Sequence, residues 1–126
     1  MVGTDIIEVA RIEKLIKEKG DKFLNKIYQP IEIEYCESKG PNKYQHYAGR
    51  FAAKEAVLKA LARKNGNVSS FVTFKSIAIH NRNDGAPYVD LAVVSVEGDL
   101  DFGSRIDISI SHIKKYATAV AIVKYD

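Results

Sequence analysis

The segment formed by residues 42–64 constrains the fold more than any other part of the chain. It is rich in Ala, Leu, Lys and Glu, which are good helix formers, and it contains no proline. At about 100° per residue, this helix carries apolar side chains on one strip and small side chains on another. The first strip consists of Phe51, Val57, Leu58 and Leu61, and the second of Gly49, Ala53, Ala56 and Ala60. Because both strips are expected to pack against other elements, we expect the helix at the centre of the domain.

The hydrophobic period differs on the two sides of this helix. Before it, a short strand is predicted at residues 2–4. A helix from Ile6 to Gly20 and two short helices, at residues 21–28 and 30–38, complete that half. After it, a period of two predicts strands at residues 73–80, 88–94, 106–111 and 116–124, with a hairpin turn at residues 83–85. Helices followed by antiparallel strands indicate the α+β class, in one domain spanning residues 1–126.

Composition excludes several classes of protein. The chain has 126 residues and a single cysteine, Cys36, which rules out an internal disulfide framework and agrees with a reducing compartment. We interpret Cys36 as a half-buried helical residue rather than a reactive thiol. No apolar run approaches the roughly 18 residues that span a bilayer. We therefore expect a cytoplasmic protein that does not insert in the membrane.

The net charge of +3 is unevenly distributed. Residues 1–66 carry a balance of +4, and residues 67–126 a balance of −1. Such an excess is typical of a solvated helix surface, or of a face that meets an anionic partner such as a nucleotide, a nucleic acid or an acidic protein. Charge alone leaves both interpretations open.

Two pairs of charged residues have both a structural and a functional interpretation. Asp5 and Glu8 precede an apolar run with the spacing of a capping box, yet Asp5 could also be a metal ligand. Glu55 and Lys59 are one turn apart, as in an ordinary helix ion pair. Because their helix is expected to be central, they could instead occupy a cleft where buried charge serves chemistry.

The remaining candidates suggest phosphate chemistry. His112 follows a predicted strand, where a histidine can be structural or catalytic. The chain contains no Gly-x-Ser-x-Gly elbow, no Gly-x-x-x-x-Gly-Lys loop and no Gly-x-Gly-x-x-Gly motif. Two hard carboxylates, Asp5 and Glu55, suit Mg²⁺ held together with waters and substrate phosphates. Arg50, Lys59 and His112 would neutralise further phosphate oxygens.

Four motifs, in order along nearly the whole chain, carry a resemblance to a known family. They are Gly3-Thr4-Asp5-Ile6, the run from Gly49 to Ala56 with Lys59 one turn on, the turn from Asn83 to Tyr88, and Ser109-Ile110-Ser111-His112. Together they closely resemble the signatures of the bacterial holo-[acyl-carrier-protein] synthases, which are small phosphopantetheinyl transferases. The run that begins at Gly49 is the most specific of the four.

This resemblance implies a fold and an activity. Helices from the first half, with the long central helix, would pack on a C-terminal antiparallel sheet. Such enzymes move the 4′-phosphopantetheine arm of coenzyme A onto a serine of apo-acyl carrier protein and release adenosine 3′,5′-bisphosphate. The resemblance also implies a homotrimer with active sites between neighbouring subunits.

The resemblance also implies roles for individual residues. Asp5 and Glu55 would hold Mg²⁺, and Glu55 would accept the serine proton, directly or through a metal-bound water. Lys59 would contact phosphate near the transferring group and act with Glu55 in catalysis. The expected coenzyme A contacts are Arg50, Lys59, Pro87, Ser111 and His112. The expected contacts with the acidic carrier protein are Arg11 and Lys14.

The chain departs from the family pattern after the central helix and in the hairpin turn. Residues 62–67 hold one glycine where relatives carry several, and Ala86 stands where a lysine is frequent.

Two other functions compete with the transferase. A non-enzymatic module that binds RNA or another polyanion is one alternative. It is disfavoured because no RNA-binding motif with interleaved aromatics is present, and we expect no nucleic-acid partner. The other alternative is a coenzyme A binder without transfer activity.

Overall fold

The computed structural model describes residues 1–65, 74–90 and 105–124. Its strands are β1 (Val2–Glu8), β2 (Ile79–Asn81), β3 (Pro87–Val89), β4 (Arg105–His112) and β5 (Tyr116–Lys124). Its α-helices are α1 (Val9–Lys19), α2 (Asp21–Ile27), α3 (Pro30–Glu37) and α4 (Lys43–Asn65), with a short 3₁₀ turn at Gly40–Asn42. The α+β class is confirmed.

The main sheet has the strand order β1-β5-β4 and is antiparallel throughout. Its central strand, β5, turns alternate residues inward, and Ala117, Ala119, Ala121 and Val123 are buried. Strands β2 and β3 form a separate hairpin. Gly85 lies in its turn with a φ of 92°, where a residue without a side chain is favoured. The predicted hairpin turn is therefore confirmed.

Helix α4 lies across the main sheet and is the centre of the core, as predicted. It packs on β1, β5 and β4, and on α1 and α3. Ala53, Ala56 and Ala60 are fully buried within the single chain. At Gly3 the strand and helix approach so closely that an added Cβ would lie 2.0 Å from the Ala56 carbonyl oxygen. The small side chains of α4 therefore allow unusually close packing of helix on sheet.

Strand β1 is longer than predicted, and the helix that follows it begins later. β1 pairs with β5 as far as Glu8, opposite Tyr116. Ile6 points outward and is 67% exposed, whereas Ile7 is buried, which is the alternation of a strand. Helix α1 has Glu8 at its N-cap and no side-chain cap hydrogen bond. The interpretation of Asp5 and Glu8 as a capping box is therefore wrong, because both lie within the strand.

The predicted strand at residues 73–80 is also largely wrong. Phe74 to Ser76 form a turn, and only Ile79 and His80 of that segment are in a strand. Two carbonyls there accept hydrogen bonds from side chains: Phe74 O from Lys54 Nζ at 2.8 Å, and Lys75 O from Gln29 Nε2 at 2.6 Å. These carbonyls are thus used for tertiary contacts instead of a strand ladder. Residues 66–73 and 91–94, which include further predicted segments, lie outside the described residues.

Two other expectations are tested by the fold. Cys36 is completely buried rather than half-buried, and burial raises the pKa of its thiol to about 12, as expected of a structural cysteine. Across the described ranges, no helix is both long and apolar enough to cross a membrane.

Candidate active site

Asp5 and Glu55 come together where β1 crosses α4. The close approach at Gly3, two residues before Asp5, presses the strand against the helix at Ala56, the neighbour of Glu55. The backbone carbonyl of Asp5 is held by Thr118 Oγ1 of β5, at 2.8 Å. Burial raises the pKa of Glu55, and the Asp5 carboxylate raises it further. The two carboxylates therefore repel each other in a partly desolvated place.

Lys59 belongs to this cluster but not in the way that its sequence spacing indicates. Its Nζ donates to Asp5 Oδ1 at 3.1 Å and to the Thr4 carbonyl at 3.0 Å. The ion pair thus runs from helix to strand rather than along the helix. Lys59 also lowers the pKa of Glu55, although less than burial and Asp5 raise it. The three charged side chains form one electrostatic unit.

The donor set of this cluster fits Mg²⁺. Magnesium commonly takes one or two protein carboxylates and completes its shell with waters and substrate phosphates. Asp5 and Glu55 supply two such carboxylates, and a divalent cation would relieve their repulsion. Within the described part of the chain, no group of three or more His, Cys, Asp or Glu side chains is placed to hold a metal. Because Mg²⁺ is octahedral, two carboxylates would leave positions for waters and a substrate.

A cavity of about 210 Å³ adjoins the two carboxylates. Arg11 lines it together with Asp5, Glu55 and Phe51, and isoleucine and leucine side chains form the rest of its wall. Arg11, which the sequence predicts as a contact of the carrier protein, thus lies beside the two carboxylates. Lys14 lies one turn further along α1, exposed and 4.0 Å from Glu18.

A second cavity, of about 130 Å³, is lined by Arg50, Pro87 and His112. Three predicted residues from α4, β3 and β4 therefore meet in one place. Ser111 does not line this cavity: it is exposed, and alternation along β4 turns it to the opposite face from His112. The remaining lining residues include Tyr35, His46 and Asn81.

Arg50 lines the second cavity, although only 4% of the surface of this residue is exposed. Its guanidinium lies 4.0 Å from the centre of the Tyr35 ring, and Nη2 donates to Asn81 Oδ1. Its Nε is buried without a hydrogen-bond partner among the described residues. A buried guanidinium with an unsatisfied donor is suited to bind an anion.

Two histidines adjoin Arg50. His112 Nδ1 lies 2.9 Å from Gln45 Oε1, and the His112 ring is 4.8 Å from that of His46. Burial, and then the neighbouring His112, lower the pKa of His46 to about 4. His46 is therefore neutral at physiological pH and packs against His112 without adding charge.

The two cavities lie on different sides of α4. Arg50 and Glu55 are five residues apart, which corresponds to about 140° around a helix axis. In the single chain, the carboxylate cluster and the Arg50 cavity consequently face different directions.

Comparison with known proteins identifies the family. The model of the 4′-phosphopantetheinyl transferase superfamily matches residues 1–121. The chain belongs to this superfamily. The holo-[acyl-carrier-protein] synthase of Ruminiclostridium cellulolyticum is 44% identical over 98% of this chain and 90% of the relative. That of Chlamydia caviae is 46% identical over 96% of this chain and 93% of the relative.

Solved structures agree with these relatives. The Helicobacter pylori holo-[acyl-carrier-protein] synthase, in complex with coenzyme A, is 32% identical with a TM-score of 0.79, over 98% of this chain and all of that chain. The corresponding Bacillus anthracis structure, also with coenzyme A, is 31% identical with a TM-score of 0.75, over 99% and 96% of the two chains. The prediction of a phosphopantetheinyl transferase with the fold of these synthases is confirmed.

Sequence reasoning assigned no role to Asn81 and Tyr35, which line the second cavity, or to Lys54, which lies outside both cavities. Asn81 and Tyr35 fix the Arg50 guanidinium, and Lys54, one turn after Arg50, is completely buried against Glu32. The small residues around Lys54 in the sequence already indicated its burial, and a buried lysine requires a carboxylate partner. No comparable local signal marks Asn81, whose partner lies 31 residues away.

Proposed function

We propose that this chain transfers the 4′-phosphopantetheine arm of coenzyme A to a serine of apo-acyl carrier protein, with Mg²⁺, and releases adenosine 3′,5′-bisphosphate. The observation that carries the proposal is the cluster of Asp5, Glu55 and Lys59, placed between strand and helix in a member of this superfamily. Related synthases of H. pylori and B. anthracis, which bind coenzyme A, support the substrate assignment.

Asp5 and Glu55 would hold Mg²⁺, which would neutralise charge on the pyrophosphate of coenzyme A. Phosphoryl transfer requires mainly positioning and neutralisation of charge on the phosphate oxygens. Lys59 supplies a positive charge at the same place, fixed by its hydrogen bonds to strand β1. Its ammonium would bind a phosphate oxygen next to the transferring group.

Glu55 would accept the serine proton. The serine oxygen forms a bond to the phosphorus of the arm, and the P–O bond to the adenosine bisphosphate breaks. The leaving phosphate takes the electron pair of that bond. In the chain without a bound cation, burial and then Asp5 raise the pKa of the Glu55 carboxyl, which brings it closer to the range of a general base. The proton would reach Glu55 directly or through a water molecule.

The Arg50 cavity would bind the nucleotide end of coenzyme A. Arg50 offers a buried cationic group with an unpartnered Nε, and Pro87 and His112 complete the wall. Ser111 lies on the outer face of β4. It would contact coenzyme A only where a neighbouring subunit places the ligand on that face.

A homotrimer with active sites between subunits would unite the two cavities, which face different sides of α4 within one chain. The outer face of the sheet carries exposed apolar side chains that fit such an assembly. Val2 and Ile6 of β1 and Ile122 of β5 all point outward. Apolar groups on a sheet face are typical of a surface covered by another chain.

Arg11 and Lys14 would bind the acidic carrier protein. Arg11 lines the cavity beside the carboxylates, so a carrier docked on α1 would present its serine close to Glu55. Lys14 extends this positive surface by one turn of the same helix.

Mass spectrometry of the carrier protein tests the proposal. Apo-carrier protein incubated with coenzyme A, Mg²⁺ and this protein should gain the mass of the phosphopantetheine arm. Glu55→Gln should nearly abolish the gain, whereas Glu34→Gln, at an exposed position on α3, should leave it unchanged. Absence of any gain with several carrier proteins would refute the transfer, and full activity of Glu55→Gln would refute both roles of Glu55.

Mixed trimers test the shared site. Glu55→Gln and Arg50→Ala each damage a different cavity, so inactive samples of the two variants should regain activity when unfolded and refolded together. If each chain carried a complete site, the mixture would stay inactive.

A further inference from the structure

The orientation of the Arg50 guanidinium is determined by two contacts. The cation–π contact with Tyr35, with Cζ 4.0 Å from the ring centre, places the group over the ring but does not by itself set the directions of its N–H bonds. The hydrogen bond from Nη2 to Asn81 Oδ1 fixes the direction of one of them. With Nη2 engaged by Asn81, the directions of the other N–H groups are fixed as well.

Asn81 is itself held at both ends of its side-chain amide. While Oδ1 accepts from Arg50, Nδ2 donates to the Gly85 carbonyl at 3.0 Å. That carbonyl belongs to the turn of the β2–β3 hairpin, which is closed by hydrogen bonds of 2.9 and 2.8 Å between Arg82 and residues 85 and 86. The side chain of Asn81 thus connects the hairpin turn to the cavity.

The hairpin is anchored to the same helix that carries Arg50. The backbone N–H of Ile79, the first residue of β2, donates to Glu32 Oε2 at 3.1 Å. Glu32 Oε1 accepts from Lys54 Nζ at 2.6 Å, and Lys54 follows Arg50 by one turn of α4. Strand β2 is therefore tied to α4 at both ends: Asn81 contacts Arg50, and Ile79 contacts Glu32, which in turn binds Lys54.

We infer that Asn81 is a positioning residue for coenzyme A: it acts through Arg50 by holding the guanidinium in the orientation that receives an anionic group of the ligand. The inference rests on the proposed function. It differs from a purely structural role, in which Asn81 would only stabilise the hairpin turn. A structural role would persist without Arg50, whereas a positioning role would not.

The test measures the affinity for coenzyme A by calorimetry, with Asn81→Ala as the main variant. Its dissociation constant should rise about tenfold, the usual loss for a hydrogen bond to a charged group. KM for coenzyme A should rise in parallel, while KM for the carrier protein and kcat change less than twofold. Asn83→Ala, exposed in the same turn, is the matched control and should bind like the wild type.

A double-mutant cycle separates positioning from stability. In an Arg50→Ala background, the additional change Asn81→Ala should weaken binding by less than twofold. An equal loss in both backgrounds would overturn the inference, as would wild-type affinity of Asn81→Ala or an equal effect of Asn83→Ala.

A second variant covers the case in which Asn81→Ala does not fold. Asn81→Leu fills a similar space but cannot accept a hydrogen bond from Arg50, so a folded Asn81→Leu should bind coenzyme A about tenfold more weakly than the wild type. Unchanged affinity of a folded Asn81→Leu would overturn the inference. If the wild type binds no coenzyme A at all, the proposed function fails together with the inference; if it binds and both variants match it, only the inference fails.

Discussion

Replacing Lys54 by methionine should destabilise the protein severely, although Lys54 lies outside both cavities. Lys54 Nζ donates to Glu32 Oε1 at 2.6 Å and to the carbonyls of Ile27 and Phe74 at 2.8 Å each. Both side chains of the ion pair are completely buried. Burial lowers the pKa of Lys54 to about 8, and Glu32 opposes that fall. The Lys54 amine is therefore still mostly protonated at neutral pH.

The size of the effect follows from what the substitution leaves behind. Methionine fills most of the space but leaves the Glu32 carboxylate buried without a cation, and removal of one partner from such a pair costs roughly 3–5 kcal/mol. A domain of this size has a free energy of unfolding of about 5–15 kcal/mol. The melting temperature should therefore fall by roughly 10–20 °C at fixed protein concentration.

Two further variants make the measurement decisive. In the double variant Glu32→Gln/Lys54→Met the uncompensated charge is gone, so it should be more stable than Lys54→Met alone by about 1–2 kcal/mol. Lys17→Met removes an exposed lysine, whose Nζ lies 3.4 Å from Glu13, and should change stability by less than about 0.5 kcal/mol. Denaturant titrations of the wild type and the three variants give these differences in the free energy of unfolding directly. If Lys54→Met is no worse than Lys17→Met, or if the double variant is less stable than the single one, the reasoning is wrong.

Three other outcomes are expected. Gly3→Ala should lower the melting temperature, because its Cβ would lie 2.0 Å from the Ala56 carbonyl, and it should reduce Mg²⁺-dependent transfer by displacing Asp5; an unchanged melt would contradict the close packing. Without divalent cations, Glu55→Gln should melt above the wild type at pH 7.5. The folded-state pKa of Glu55 is raised, so its ionisation removes stability as pH rises, and the advantage should shrink as pH falls towards 4.5. Arg11→Ala should raise KM for carrier protein several-fold and leave that for coenzyme A nearly unchanged; equal effects would argue against docking on α1.

Local sequence patterns predicted most of the architecture. The central helix, the two strands β4 and β5 and the hairpin turn follow from hydrophobic period and turn residues. The pair of Asp5 and Glu55 could also be predicted from the sequence, because Mg²⁺ in proteins prefers carboxylate ligands. The start of the chain was misjudged because Ile6, Ile7 and Val9 satisfy a helical spacing as well as a strand alternation, and only pairing with β5 decides between them.

The rest depended on tertiary contacts that no local pattern contains. Lys54 and Glu32 are 22 residues apart, and Arg50 and Asn81 are 31 residues apart. The segment that begins at Phe74 alternates like a strand, but its carbonyls are bound by side chains from α4 and from Gln29. Tertiary hydrogen bonding therefore overrides the periodicity at the place where the hairpin is tied to α4.

The pairing of β1 with β5 has a consequence for the order in which the protein matures. Asp5 is synthesised before helices α1 to α4, yet the hydroxyl that holds its carbonyl belongs to Thr118, 113 residues later. Contacts of such long range form slowly and late. β1 must therefore wait, unpaired, until β5 has been synthesised, and helices α1 to α4 can form before it has a sheet to join. Assembly of the carboxylate cluster is thereby postponed until β5 has left the ribosome, later than the synthesis of the helix that carries Glu55 and Lys59.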